Sequence, residues 1–307
     1  MRGSGRDWTG ARTGRGRATE EVPPTRFLAA DAGPGRADLP GAVMPLVSAA
    51  PVAPAWTVKA HVRQVMGLPV SIHVRAAVPD APEVSAAVGK VWKVLERADR
   101  VFFTWRADSD VMRIRRGELD DADADPWVAE MRDLCARAER AAGGLFTTDL
   151  VGPDGTRAWD PTGLVKGWAV EQAAAALRAV PGIAFSINAG VDILCDVTAG
   201  GPAEPWRIGI EDPREAGSIS AVVQVTVGAL AASGTAARGE HIVDPRTGAA
   251  ASGVRGSVTV TGPSLTWADM WATVSLLDEE ALGRAQAATG AWGEPGDWGD
   301  YRVAWAV

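Results

Sequence analysis

The hydrophobic pattern from Trp56 onward changes repeatedly between the period of a strand and that of a helix, which constrains the fold more than any other feature. Residues 58–65 and 69–74 predict two strands around a turn at Gly67, and therefore a hairpin. Further strands are predicted at 183–188, 206–210, 222–227 and 257–261, and an edge strand at 301–307. Any fold for this chain must therefore hold several short strands.

Segments with helical periodicity separate many of these strands. In residues 82–98, apolar side chains such as Val84, Val88 and Leu95 fall on one helical face. Helices are predicted at 82–98, at about 126–142, from about 162 onward, and at about 266–289. Because strands and helices are interspersed but some strands have hairpin-like neighbours, we expect an α+β fold with mixed or antiparallel sheets packed with helices.

The first part of the chain has a different composition. Residues 1–55 are rich in Gly, Pro, Arg and Ala without a period, so they bury too little apolar surface to offset chain entropy. They are predicted to be a disordered N-terminal tail, with a translated upstream artefact as an equal alternative and Met44 as another candidate start. Residues 56–307 are predicted to form the folded domain.

Charge and cysteine usage exclude several classes of protein. The formal net charge of -7 argues against a nucleic-acid partner, which usually requires a basic surface. Cys135 and Cys195 each lie in an apolar segment, which favours buried free thiols over a disulfide. The spacings His-Glu-x-x-His and Cys-x-x-Cys are absent from the sequence, which argues against zinc.

The sequence also predicts where the protein is located. It has no run of the roughly 20 apolar residues that a membrane-spanning helix needs. The N-terminal residues lack the apolar middle region of a secretory signal, and no lipid-anchor cysteine is seen. We therefore expect a cytoplasmic protein without a membrane span, with an extracytoplasmic location as the open alternative.

Residues 160–170 form a junction that suits a phosphate group. Asp160 precedes a helix start that contains Gly163 and Lys166, and backbone N–H groups at a helix N-terminus attract anions. The spacing of a P-loop is absent here and elsewhere in the sequence. An ordinary helix start capped by Asp160 or Thr162 explains the same residues equally well.

Residues 257–273 offer a possible site for a cation. A strand ends at 262–263 and a helix follows, on which Asp269 and Thr273 are four residues apart and share a face. A carboxylate and a hydroxyl are hard oxygen ligands of the kind Mg²⁺ uses beside phosphates. From spacing alone, a capping box of Thr266 with Asp269 is the preferred alternative.

Residues 232–248 contain a candidate base. His241 lies among polar and turn-forming residues and could accept a proton near neutral pH. A lone histidine is more often structural, and residues 244–248 alone predict only a turn.

These segments are individually weak, but their order along the chain resembles the ApbE family of FAD:protein FMN transferases. The matching segments are Met66-Gly67, Phe103 to Asp110, Asp160 to Val170, Asn188 to Ile193, Trp206 to Pro213, Ser233 to Gly248 and Ser257 to Thr273. The resemblance covers about residues 57–304, and it implies the α+β fold of a flavin transferase.

The resemblance implies which residues contact the flavin substrate. Met66 and Trp105 would flank FAD, with Trp105 standing where the family commonly has Tyr. An aromatic ring at this position can stack on a flavin or adenine ring. Asp160 and Lys166 would contact FAD, and His241 would serve as a base or a flavin contact.

The resemblance also implies a Mg²⁺ site. Asp269 and Thr273 would hold the ion with their side chains, and Gly163 would contribute its backbone carbonyl. With the family in view, this role outweighs the capping interpretation of Asp269.

Three features depart from the family pattern. Val191 replaces a glycine in the segment from Asn188 to Ile193, and Phe146-Thr147 stands where the family usually has Phe-Asp. The chain also shows no export signal or lipid-anchor cysteine of the kind that many bacterial members carry.

The implied activity is a Mg-dependent transfer of FMN from FAD to a Thr or Ser of an acceptor flavoprotein, through a phosphoester and with release of AMP. The residues leave two alternatives open, because both require the same phosphate-binding groups. One is a Mg-dependent FAD pyrophosphatase that releases FMN and AMP. The other is a non-catalytic FAD-binding protein.

Overall fold

The computed structural model describes residues 56–151, 155–215, 217–234, 244–248, 256–287 and 298–306. The proposed tail at 1–55 and the candidate base His241 lie outside these ranges, so both stay predictions.

A seven-stranded antiparallel sheet with the strand order β1-β2-β5-β6-β9-β10-β11 forms the centre of the described chain. Its strands are β1 (Thr57–Val65), β2 (Leu68–Ala76), β5 (Ala184–Ala189), β6 (Asp192–Val197), β9 (Gly228–Gly234), β10 (Ser257–Gly262) and β11 (Arg302–Ala306). Two separate hairpins are formed by β3 (Asp149–Val151) with β4 (Arg157–Trp159) and by β7 (Trp206–Glu211) with β8 (Ile219–Val225).

Six α-helices accompany the strands in the described ranges. They are α1 (Pro82–Phe102), α2 (Asp110–Arg115), α3 (Trp127–Ala141), α4 (Thr162–Arg178), α5 (Leu265–Leu277) and α6 (Ala281–Ala287), followed by a 3₁₀ turn at Trp298–Asp300. Helix α4 packs between α1 and α5, and both α4 and α5 contact the central sheet.

Each face of the sheet has its own apolar core. Alternate residues such as Ile72, Ile187 and Leu194 point to the helices and belong to the main core. The intervening residues Cys195 and Leu230 pack instead under the hairpin β7–β8. Because both faces are covered, β5 is buried along its whole length.

The first hairpin forms as expected. Val65 pairs with Leu68, which leaves Met66 and Gly67 as a two-residue turn with φ values of 56° and 71°. Positive φ at both positions is the signature of a type I′ turn, whose twist matches that of the flanking strands.

The expected fold class is confirmed, because antiparallel sheets pack against helices as in the α+β class.

The predicted last helix is wrong in its length, since α5 ends at Leu277 and a separate helix begins at Ala281. Asp278 ends α5 with an extended backbone, and its carboxylate accepts hydrogen bonds from Glu280 N and Arg284. These side-chain bonds compete with continuation of the helix.

Both cysteines are buried free thiols, as expected. Burial raises the pKa of Cys135 to about 11 and that of Cys195 to about 12, so neither thiol is ionised near neutral pH. Among the helices of the described ranges, none combines the length and the apolar character that crossing a bilayer requires.

Candidate active site

The candidate residues gather at one end of the central sheet. Val70 pairs with Ala189, and Ala189 pairs with Asp192, so the turn at Met66 and the turn before Asp192 lie at the same end. Strand β9 is antiparallel to β6 and ends on this side at Gly234, directly after Ser233. At this end of the sheet, Asp192 contacts a residue of α4 and Ser233 contacts a residue of α5.

The ammonium of Lys166 on α4 lies between two carboxylates. It contacts Asp192 at the start of β6, and its Nζ lies 3.6 Å from Oδ2 of Asp269 on α5. The Asp192 side chain is fully buried and that of Asp269 is 7% exposed. Within the described residues, two carboxylates therefore contact one ammonium.

Thr273 stands one turn beyond Asp269 on α5. Its Oγ1 lies 2.9 Å from Oγ of Ser233 on β9, a hydrogen bond in which either hydroxyl can donate. If Thr273 donates, both of its oxygen lone pairs stay available to a cation. Asp269 and Thr273 therefore share a face of α5, as their spacing predicts.

The capping alternative for Asp269 is wrong. Thr266 donates its hydroxyl hydrogen bond to Glu171 on α4, and Leu265 N donates to the other carboxylate oxygen of Glu171 at 2.6 Å. The start of α5 is thus capped from a neighbouring helix, which leaves Asp269 to face Lys166.

A glycine allows the two helices to approach this closely. A Cβ added to Gly167 would lie 2.9 Å from Cα and 3.0 Å from N of Thr266, which are backbone atoms that cannot move aside. Lys166 precedes Gly167 and Asp269 follows Thr266 by three residues, so the close approach of α4 and α5 occurs next to the residues of the polar cluster.

Asp160 precedes Pro161, which is the N-cap of α4 and makes no side-chain capping hydrogen bond. Oδ1 of Asp160 accepts hydrogen bonds from Thr162 N at 3.0 Å and from the Thr162 hydroxyl at 2.6 Å, and its Oδ2 lies 3.0 Å from the Arg115 guanidinium. Neither Asp160 nor Thr162 is therefore the N-cap, but the Asp160 carboxylate supports the first residue of α4 and Arg115 holds that carboxylate in place.

The structure places Trp105 beside the turn of the first hairpin, which contains Met66. Met66 is buried, and within the described residues it is the one non-glycine residue with a left-handed φ. Trp105 is 66% exposed and lies over Gly67, where an added Cβ would come within 2.8 Å of its ring. Phe103 supports the Trp105 ring, with 4.9 Å between the ring centroids. An exposed indole held in this way offers a stacking surface.

Gly163 lies in the first turn of α4, where a Cβ would sit 3.2 Å from the ring of Phe146. Residues 244–248 form the expected turn, closed by a 2.8 Å hydrogen bond from Gly248 N to Asp244 O. Within the part of the chain that the structure describes, no three His, Cys, Asp or Glu side chains cluster as metal ligands.

Sequence reasoning assigned no role to four residues that build the site: Asp192, Ser233, Glu171 and Arg115. A carboxylate placed directly before the apolar residues of β6 was the available signal for Asp192. Glu171, Arg115 and Ser233 act through partners far along the chain, which spacing alone does not show.

Comparisons with known proteins agree with this architecture. Residues 150–291 match the sequence model of the ApbE family. No curated protein matches the chain. The matched residues include α4, β6, β9 and α5, which carry the polar cluster.

Three solved structures share the fold. A flavin transferase ApbE from Vibrio cholerae is 19% identical with a TM-score of 0.62 over 82% of this chain and 97% of that one. The apo flavinyl transferase ApbE of Pseudomonas stutzeri is 20% identical, with a TM-score of 0.60 and coverage of 76% and 90%. An ApbE protein from Thermotoga maritima is 21% identical, with a TM-score of 0.57 and coverage of 77% and 92%. The chain therefore shares the fold of these three structures, and its residues 150–291 match the sequence model of the ApbE family.

Proposed function

We propose that the protein is a Mg-dependent flavin transferase that takes FAD and links FMN to a Thr or Ser of an acceptor flavoprotein. The observation that carries this proposal is the position of the Lys166 ammonium between Asp192 and Asp269. Asp269 lies one helical turn from Thr273, and both belong to the segment that matches the ApbE family model. The arrangement combines a positive group for a phosphate with hard oxygen donors for Mg²⁺.

The reaction is a substitution at phosphorus. The acceptor hydroxyl oxygen forms a bond to the phosphorus of the FMN half of FAD, and the bond from that phosphorus to the bridging oxygen breaks. AMP leaves with the bridging oxygen, and the hydroxyl proton passes to a base. His241 is proposed as that base, because an imidazole can accept a proton near neutral pH.

The residues present fit a Mg²⁺ ion. Asp269 and Thr273 would hold it with their side chains and Gly163 with its carbonyl oxygen, which leaves further positions for water and phosphate oxygens, as Mg²⁺ prefers. When bound, Mg²⁺ would neutralise charge on the pyrophosphate and on the leaving phosphate.

The protein's own groups orient the substrate. Asp192 holds the Lys166 ammonium in place, and this ammonium would attract the pyrophosphate of FAD. Asp160 would act near FAD by fixing the start of α4, whose N-terminal dipole favours an anion. Met66 and Trp105 would hold a ring of FAD beside the turn of the first hairpin. Such positioning supplies much of the catalysis in phosphoryl transfer.

The stacking role of Trp105 gives a prediction. Trp105→Ala should weaken FAD binding about 5-fold to 150-fold, because base–aromatic stacking contributes about 1–3 kcal/mol. Trp105→Tyr keeps a ring and should bind within about threefold of the unmodified protein. Both affinities can be measured by FAD titration in EDTA. Equal affinity of Trp105→Ala and the unmodified protein would remove Trp105 from the site.

A first test of the function measures AMP. The full chain is incubated with FAD and an acceptor domain that carries a target Thr, in Mg²⁺ or in EDTA. AMP should form in Mg²⁺ and not in EDTA. FAD that stays intact and bound under both conditions contradicts the proposal and indicates a binding protein.

A further inference from the structure

We infer that Asp192 is a positioning residue whose task is to keep the Lys166 ammonium away from Asp269, so that the Asp269 carboxylate stays available to a divalent cation. This inference rests on the proposed function, because it concerns the same cation site. Asp192 is the first residue of β6, so the sheet would contribute to the cation site through this carboxylate.

The burial of Asp192 is the first observation behind it. The Asp192 side chain has no solvent exposure, while that of Lys166 is 17% exposed. A carboxylate in such a place is stable only with a counter-charge, since desolvation of an ion costs several kcal/mol. Lys166 provides that charge through its contact with Asp192.

The position of the ammonium is the second observation. Of the two carboxylates that Lys166 contacts within the described residues, Asp192 is closer than Asp269, whose Oδ2 is 3.6 Å away. An ammonium drawn fully to Asp269 would occupy the space of a metal ion and repel it. Asp192 attracts the Lys166 ammonium toward the sheet, so the ammonium competes less with a metal ion for the Asp269 carboxylate.

Backbone contacts fix the positions of the elements that carry Lys166, Asp192 and Asp269. Asp192 is fixed by pairing with Ala189 at the start of β6, and the contact of Gly167 with Thr266 fixes α4 against α5. The flexible stem of Lys166 is therefore the part that can move. Loss of the charge at Asp192 would leave Asp269 as the nearest described carboxylate for the ammonium.

A titration with MnCl₂, followed by the electron paramagnetic resonance signal of free Mn²⁺, tests this inference with and without AMP. Asp192→Asn should weaken Mn²⁺ binding at least about tenfold, because the ammonium then pairs with Asp269. Lys166→Met should bind Mn²⁺ at least as tightly as the unmodified protein, since the competing cation is gone. The double variant should bind within about threefold of Lys166→Met.

Several results would overturn the inference. Unchanged Mn²⁺ affinity in folded Asp192→Asn, or no Mn²⁺ binding by the unmodified protein in either titration, contradicts it. So does an equal tenfold loss when Asp192→Asn is added to Lys166→Met, because Asp192 would then act on the cation directly. If Asp192→Asn fails to fold, tenfold weaker binding by Lys166→Met overturns the inference by itself.

The inference and the proposed function can fail separately. FMN transfer with unchanged Mn²⁺ affinity in Asp192→Asn would leave the function standing and remove the positioning role. The expected affinities without any FMN transfer would do the reverse.

Discussion

Replacing Asp269 by asparagine should lower Mg-dependent AMP release from FAD by at least about 10³-fold while the protein stays folded. Coordination to a phosphoryl oxygen is worth several kcal/mol of charge stabilisation, and each 1.36 kcal/mol corresponds to about tenfold in rate. Asparagine keeps the shape of the side chain but removes the charge that would hold Mg²⁺. Lys166 retains Asp192 as a partner, so the substitution leaves its ammonium compensated.

AMP formation by liquid chromatography over a range of Mg²⁺ concentrations measures this effect. Asp133→Asn is a matched control, because Asp133 is exposed on α3 and should leave the rate unchanged. An Asp269→Asn variant with the Mg²⁺ dependence of the unmodified protein would contradict the assignment of Asp269.

Substituting Gly167 by alanine should destabilise the protein by about 1–3 kcal/mol, the usual cost of forcing an extra group into a packed core. The new Cβ would meet the backbone of Thr266 at 2.9–3.0 Å, so α4 and α5 would have to separate. For a domain of this size, each 1 kcal/mol corresponds to about 2–4 °C in Tm.

Gly89 provides the control for this experiment. It also lies inside a helix, but an added Cβ there would meet nothing within 4 Å. Gly89→Ala should therefore be neutral or stabilising by up to about 1 kcal/mol, through helix propensity alone. Equal melting temperatures for the two variants would show that the contact between α4 and α5 has no energetic weight.

Local patterns predicted some parts of the fold well. The hairpin around Gly67 and the helix from Thr162 were expected, because turn chemistry and helical periodicity are local properties. Strand β9 was not expected, since its sequence Gly-Ala-Leu-Ala-Ala-Ser-Gly has few of the β-branched residues that favour strands. It is a strand because it pairs with β6 and β10 on either side.

The candidate site shows the same limit. The spacing of Asp269 and Thr273 placed them on one face of α5, because a helix repeats every 3.6 residues. Lys166 on α4 and Asp192 on β6 come into contact only when the helix packs against the folded sheet. No local sequence pattern predicts this contact. No local pattern predicts the contact of the Trp105 ring with Gly67 either, because these residues are distant in the sequence.

The most direct test of the central claim is the intact mass of an acceptor domain after incubation with the full chain, FAD and Mg²⁺. The account predicts a mass increase equal to FMN less one water, with an equal amount of AMP released. An acceptor with its target Thr replaced by Val should gain no mass. Release of free FMN and AMP with an unmodified acceptor would contradict the transferase and indicate a pyrophosphatase.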